Sequence, residues 1–322
     1  MTNAVEKSSG PGWLSVRRMV WSMRSKWYGG DAELTVRMFV TMFLLFAVYA
    51  AFLVVLYQAG AGFMTMAVVA GGFLLAQYFL SDQLVLWTTG ARVVSPDEAP
   101  ELHAMVDRLA ALADLPKPRV AIANQAIPNA FATGRNPQNS VVAVTTGLLQ
   151  QLDRPELEAV LAHELTHIKN RDVTVITIAS FLSTVAFMVV RFSFWFGPGV
   201  GGYGRRREGA NWTALAYVAA LVVWIVSLLL IRALSRYREF AADRGSAIVT
   251  GAPSQLASAL LKISGRMQRI PERDLREVQG ANAFYIIPAI RGNSIMELFS
   301  THPSLEKRLE RLQRLQQQIE GS

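Results

Sequence analysis

The run His163-Glu164-Leu165-Thr166-His167 contains three side chains whose types and spacing could carry out metal-dependent chemistry. Residues four apart share one face of a helix, so His163 and His167 can both offer an imidazole nitrogen to one tetrahedral zinc ion. Glu164 then lies beside the metal, where its carboxylate can act as general base on a water whose pKa the metal lowers to roughly 7. The alternative is two ordinary histidines on a core helix, but the intervening glutamate favours the metal site.

The residues around this motif predict the helix that must position it. Asp153 and Glu156 form a capping box, and Pro155 falls in the first turn. Apolar residues then recur at helical spacing, at Leu157, Val160, Leu161, Leu165 and Ile168. We therefore predict a helix that begins near Pro155 and continues past His167.

A third metal ligand must come from elsewhere in the chain. There is no cysteine, and the four histidines are His103, His163, His167 and His302. A catalytic zinc usually takes three protein ligands, and no further histidine follows His167 closely, so a distant carboxylate is expected. Glu239 is the best candidate, because alanines beside it would let its helix pack closely against the zinc helix. Asp243, one turn later, could orient a metal-bound histidine, while the alternative for Glu239 is a surface ion pair with Arg236 or Arg238.

Four stretches without charge account for an apolar content of 52%, which argues against a wholly soluble protein. They cover residues 38–57, 63–80, 173–190 and 213–231. As a helix, each is long enough to cross a hydrocarbon core of about 30 Å. The first pair is predicted to span the membrane. The second pair either spans it too or forms a shallow re-entrant hairpin, because a basic triplet at 205–207 conflicts with the positive-inside rule.

The N-terminal arm, residues 1–37, predicts the orientation. It contains no signal-peptide pattern, and its basic residues outnumber the acidic ones. The positive-inside rule therefore places the N terminus and the soluble parts in the cytoplasm. Tryptophans interleaved with the basic residues suit an interfacial anchor on anionic lipid, with a solvated tail as the alternative. The net charge of +8 indicates membrane-surface affinity and not nucleic-acid binding, because no nucleic-acid motif accompanies it.

The remaining stretches predict a small α+β domain. Residues 97–113 and 252–268 have helical patterns, and residues 119–123 and 141–144 read as two strands that pair as a hairpin. The run 128–134 between them is rich in turn residues. An exposed edge of this hairpin could bind an extended peptide, or the hairpin could be scaffold only. The charged residues of the C-terminal helix, which follows residues 301–304, are read as a solvated face.

Several motifs together resemble the HtpX-type membrane metalloproteases of the M48 peptidase family, over roughly residue 35 to the end. They are the apolar N-terminal hairpin, Pro128-Asn129-Ala130-Phe131-Ala132-Thr133-Gly134, the His163 motif with Asn170-Arg171-Asp172, Arg238-Glu239-Phe240-Ala241-Ala242-Asp243, and Thr301-His302-Pro303. With the apolar stretches, this resemblance predicts an integral membrane α-helical protein with a mainly α, zincin-like catalytic domain carrying a small β-hairpin or sheet. The predicted parts are the arm 1–37, a transmembrane hairpin 38–80, catalytic segments 81–172 and 232–322, and a second apolar helix pair 173–231.

The resemblance also implies roles for individual residues. Zinc, one per chain, would bind His163, His167 and Glu239, with Glu164 as catalytic base and Asp243 as a carboxylate beside the site. Asn129, Ala130 and Phe131 would belong to the substrate-binding edge, and His302 would be an active-site residue that donates to the developing oxyanion.

The family implies a multi-pass protease of the bacterial inner membrane that acts in quality control on unfolded or damaged membrane proteins. A prenyl-protein endopeptidase of the Ste24 type is one alternative, although four apolar stretches are too few for that larger membrane chamber. A membrane-bound holdase or scaffold with a purely structural zinc is the other. The sequence leaves the oligomeric state open.

Overall fold

The computed structural model describes residues 32–58, 85–196, 207–269 and 302–321, with positions 71, 72, 75, 79 and 83. In chain order the elements are α1 (Ala32–Gln58), β1 (Ala91–Val93), α2 (Pro100–Leu112), β2 (Arg119–Ala123), β3 (Ala130–Gly134), β4 (Ser140–Thr145), α3 (Thr146–Gln151), α4 (Arg154–Lys169), α5 (Asp172–Phe196), α6 (Arg207–Thr250), α7 (Pro253–Met267) and α8 (Leu305–Glu320). Most of the predicted N-terminal arm and most of the stretch 63–80 lie outside the described residues.

Three of these helices are long and apolar. Within α1 and α6, the stretches Ala32–Val55 and Tyr217–Thr250 are long and apolar enough to cross a membrane. The two helices pack together with α5 around Leu45, Phe52 and Leu234. Large apolar side chains cover the outer surface of α1, where Phe39 and Phe46 are 71% and 70% exposed. Such a surface suits contact with lipid, because soluble proteins rarely expose apolar patches of this extent.

The sheet is mixed and has the strand order β1-β2-β4-β3. The prediction that residues 119–123 and 141–144 form a hairpin is wrong, because β2 and β4 pair in parallel. The hairpin is instead β3–β4, and β3 lies within the run that the sequence marked as a turn. A short 3₁₀ turn over Pro137–Asn139 reverses the chain, with Asn136 as its cap. The strand β3 is therefore the outer strand on one side of the sheet.

The helix α4 lies at the centre of the part that contains the sheet, and it contacts α2, α6, α7 and β3. Its predicted start is confirmed: Asp153 and Glu156 form a complete capping box, and Pro155 lies in the first turn. The apolar face of α4 is buried together with residues from α2, the sheet and α7. A helix packed on several sides is a rigid support for the residues on its inner face.

The helices α4 and α6 approach each other closely at Gly245. A Cβ atom at this glycine would lie 2.3 Å from Cγ2 and 2.4 Å from Oγ1 of Thr166. The Thr166 hydroxyl donates to the Ala162 carbonyl (2.8 Å), which holds the threonine in place. Only a glycine fits here without displacing the neighbouring helix.

We expect Gly245→Ala to lower the free energy of unfolding by about 1–3 kcal/mol, as overpacked cores do. Thermal unfolding of the detergent-purified protein measures this change. Gly265→Ala on α7 is the matched control, because a Cβ there meets nothing within 4 Å and alanine favours a helix. Equal unfolding temperatures for the Gly245→Ala variant and the wild type would mean that α4 and α6 can move apart to admit the extra methyl group without loss of stability.

Candidate metal centre

Three segments distant in sequence meet at one buried site. The helix α4 supplies His163, Glu164 and His167, whose ligand atoms lie within 4.8 Å of one another. The helix α6 crosses α4 and brings Glu239 against the two histidines. His302 precedes α8, and its Nδ1 lies 3.1 Å from Glu239 Oε2. The predicted site residues on α4, α6 and the C-terminal segment are therefore neighbours in space.

The spacing of the donor atoms fits a metal ion. The Nε2 atoms of His163 and His167 lie 3.1 Å apart. The carboxylate oxygens of Glu239 lie 3.6 Å from the first and 3.5 Å from the second. A tetrahedral zinc with bonds of about 2.0–2.1 Å holds its donor atoms about 3.3–3.4 Å apart. Two imidazoles and a carboxylate at these distances could hold one divalent cation.

Each of the two histidines has a carboxylate behind it. His163 Nδ1 lies 3.0 Å from Asp243 Oδ1, and His167 Nδ1 lies 2.6 Å from Asp172 Oδ2. A carboxylate accepts the Nδ1 proton, so the Nε2 lone pair of each ring faces the space shared with Glu239. Asp243 thus lies close enough to His163 to orient its ring, as the sequence predicts.

Asp172 was not among the predicted site residues. The chain leaves α4 through Arg171, whose left-handed backbone (φ 55°) turns it sharply before α5. This turn places Asp172 beside His167, five residues earlier. Arg238 of α6 pairs with the other oxygen of Asp172 and also donates to the Asn170 carbonyl (2.9 Å). The alternative of a surface ion pair for Glu239 is wrong, since Glu239 is 6% exposed and the buried Arg238 binds Asp172.

Arg308 of α8 is the largest departure from the prediction of a solvated C-terminal helix face. It is 2% exposed, and its Nε and Nη2 donate to Asp243 at 2.9 and 2.6 Å. Its Nη1 lies 3.4 Å from Glu239 Oε2. Burial acts to lower the pKa of Arg308, but the carboxylates of Asp243 and Glu239 outweigh it and leave that pKa raised. Arg308 therefore places one positive charge beside both Glu239 and Asp243.

Glu164 lies under the outer strand β3. It is 4% exposed, and burial raises the pKa of its carboxyl, although the two neighbouring histidines act against this shift. Its carboxylate also accepts a hydrogen bond from the backbone of Ala132. Glu239 is paired with Arg308 and His302. Glu164 instead has a raised pKa, and a raised pKa suits a carboxyl group that accepts and releases a proton.

The residues predicted for the substrate-binding edge lie on or beside β3, and all three are buried. Asn129 bonds with Thr145 at the end of β4, while Ala130 and Phe131 are 1% and 3% exposed. At this edge it is the backbone of Ala132, half-buried, that reaches the site. The remaining histidine, His103, lies elsewhere, with its Nε2 3.0 Å from the Val94 carbonyl.

A buried helix with two converging histidines and an adjacent glutamate, set under the outer strand of a small sheet, defines a zincin-like metallopeptidase. The family model described as Peptidase family M48 matches residues 96–316, and the chain belongs to this family. The predicted family resemblance is thereby confirmed, as is the prediction of a membrane metalloprotease.

Relatives from distant organisms agree with this assignment. The chain is 65% identical to Protease HtpX homolog of Moorella thermoacetica over 292 residues, which are 91% of this chain and 97% of that one. It is 60% identical to Protease HtpX homolog 2 of Methanosarcina mazei over 297 residues, which are 92% and 100% of the two chains. Among solved structures, Ste24p of S. mikatae is similar with a TM-score of 0.51 and 16% identity, covering 94% of this chain and 74% of that one. The last likeness shows a shared fold alone.

Proposed function

We propose that this chain is a zinc endopeptidase that cleaves unfolded or damaged membrane proteins at the cytoplasmic face of a bacterial plasma membrane. The convergence of His163, His167 and Glu239, with Glu164 alongside, is the observation that carries this proposal. These three residues would hold one zinc ion per chain. An ion at this position supplies a Lewis acid that polarises the scissile carbonyl and acidifies the attacking water.

Each of the surrounding side chains has a separate role in amide hydrolysis. Glu164 accepts a proton from the attacking water and passes it to the leaving amine nitrogen. Asp243 and Asp172 keep both imidazoles in the tautomer that exposes Nε2. His302, whose Nδ1 lies 3.1 Å from Glu239, is the proposed donor to the developing oxyanion.

The proposed topology is multi-pass, with the N terminus and the catalytic segments in the cytoplasm. The apolar helices α1 and α6 support it, as does the excess of basic residues in the first 37 positions. In this arrangement residues 38–80 form a transmembrane hairpin, residues 173–231 a second apolar pair, and residues 81–172 and 232–322 the catalytic domain. The bilayer is then a permanent partner of the protein.

Removal of the metal tests the site directly. We expect the purified protein to contain about one zinc per chain, and a chelator to abolish cleavage until zinc is returned. His163→Ala should lose both the metal and the activity, because two ligands hold a catalytic ion poorly. His103→Ala is the matched control, since that histidine lies outside the site. Full zinc content in the His163→Ala variant would show that the ion binds elsewhere.

A purely structural zinc in a holdase or scaffold is not favoured by this geometry. Three protein donors leave one coordination position open, whereas structural sites are closed by four. The fold likeness to Ste24p does not by itself carry a preference for prenylated substrates.

A further inference from the structure

The outer strand β3 has a fixed direction relative to the apolar helices. It runs from Ala130 to Gly134, and the next residue, Arg135, contacts Thr174 and Phe79. The Arg135 carbonyl accepts from the Thr174 hydroxyl in the first turn of α5 (2.9 Å), and its guanidinium lies over the Phe79 ring (5.4 Å). In the proposed topology, the C-terminal end of β3 is therefore the end nearer the membrane, and the N-terminal end points away from it.

The backbone of β3 has one edge turned away from the sheet. Asn129 bonds with Thr145 on the β4 side, and backbone groups alternate in an antiparallel pair, so Ala130, Ala132 and Gly134 face outward. The hydrogen bond from the Ala132 backbone to Glu164 agrees with this alternation. An extended segment that adds to this edge would therefore pass directly over the catalytic glutamate.

A small pocket reaches His167 from the Gly134 end of this strand. It lies between β3 and the start of α5 and is lined by Thr133, Gly134, Asn136, His167, Arg171 and Thr174. The His167 side chain is 16% exposed, whereas that of His163 is 1% exposed. The centre is thus more open at His167 than at His163, and α5 begins only five residues after His167.

We propose that the enzyme selects segments that directly follow a transmembrane helix over segments that directly precede one. Antiparallel addition is the more stable strand pairing, and it would place the N-terminal end of the substrate beside Gly134 at the membrane. The substrate then runs away from the bilayer in its N-to-C direction. This inference rests on the proposed function and adds a polarity to it.

This polarity predicts how cleavage depends on the length of the spacer between the transmembrane helix and the cleaved segment. A segment that follows a transmembrane helix needs a spacer of only about five residues to reach Ala132, at about 3.4 Å per residue. A substrate segment that precedes a transmembrane helix would have its C-terminal end beside Ala130. From there its chain must turn and run back along β3 to reach the membrane. That path needs a spacer longer by about ten residues, counting five along the strand and a turn.

Two matched reporter series test the proposal, with the full-length enzyme reconstituted in lipid vesicles. Both carry the same unfolded peptide and the same single transmembrane helix, with the peptide either after or before the helix. Spacers of about 5 and about 30 residues separate the two parts, and Glu164→Gln enzyme gives the background. At the short spacer we expect the following segment to be cut at least about tenfold faster, and at the long spacer we expect similar rates.

The possible results distinguish a failure of the proposed polarity from a failure of the proposed protease function. Equal rates at the short spacer, or faster cutting of the preceding segment, would overturn the polarity while leaving the protease intact. If neither reporter is cut even at the long spacer, the proposed function itself fails, and the polarity fails with it.

Discussion

Replacement of Glu164 by glutamine is expected to reduce peptide cleavage by a factor of about 10²–10⁴ while the metal stays bound. The amide has nearly the same shape as the carboxylate but cannot accept a proton from water and return it to the leaving nitrogen. His163, His167 and Glu239 are unchanged in this variant, so the donor set for the ion is complete. The measurement is cleavage of an unfolded membrane protein by detergent-purified enzyme, together with its zinc content.

Glu158→Gln is the control for this experiment, because it makes the same chemical change on the same helix. Glu158 pairs with Arg108 and Arg154 on the outer side of α4 and lies outside the metal centre. The cleavage rate of the Glu158→Gln variant should stay within about twofold of the wild-type rate, as for most surface substitutions. Undiminished cleavage by the Glu164→Gln variant would assign the base to another residue.

Replacement of Arg308 by methionine is expected to lower the free energy of unfolding by about 3–5 kcal/mol. Arg308 is buried and is bonded twice to Asp243, with Glu239 at 3.4 Å, so its loss leaves two buried carboxylates without their cation. Zinc affinity should also fall, by about 10–100-fold, because Asp243 no longer holds His163 firmly. Thermal unfolding of the metal-free protein and a zinc titration measure the two effects separately.

The matched control is Arg314→Met on the same helix. The Arg314 side chain is 73% exposed, and its partner Glu310 lies 3.8 Å away at the surface. Such a pair contributes about 0–1 kcal/mol, so unfolding and zinc affinity should hardly change. If Arg308→Met behaved like this control, the α6 carboxylates would have to be neutralised by another group, and the role given to Arg308 would be wrong.

The local part of the metal centre could be predicted because helix geometry alone brings its residues together. Residues four apart lie about one turn apart, so His163 and His167 share a face in any α-helix, and the capping box indicates where that helix begins. Glu239 and Asp243 could be proposed because they too lie one turn apart. Their contact with the histidines, however, depends on how α6 crosses α4, which no local pattern determines.

Arg308 shows why the rest was missed. Its position beside Leu305 and Leu312 at helical spacing marks it as a member of the buried face, yet an arginine is ordinarily assigned to solvent. Only the carboxylates of α6, about 65 positions earlier, make its burial favourable. Buried cations depend on distant partners, so a pattern within one helix does not predict them.

The prediction for the sheet is wrong for a related reason. Small residues and a glycine gave 130–134 the composition of a turn, although these residues form the outer strand β3. Pairing with β4 and burial against α4 select the extended conformation there. The parallel pairing of β2 with β4 follows from that extra strand, because the chain reverses twice between them.

The single helix α6 runs without a break from its apolar stretch to the candidate metal centre. Its 44 residues span about 66 Å, and Glu239 lies about 12 Å along the axis beyond residue 231. A rigid rod of this kind is a lever. If it pivots near residue 222, a change in tilt of about 5° displaces the Glu239 carboxylate by about 2 Å, which exceeds the tolerance of a zinc–oxygen bond. In the proposed topology, any change in the tilt of α6 within the bilayer would therefore move the carboxylate that is proposed to hold the ion.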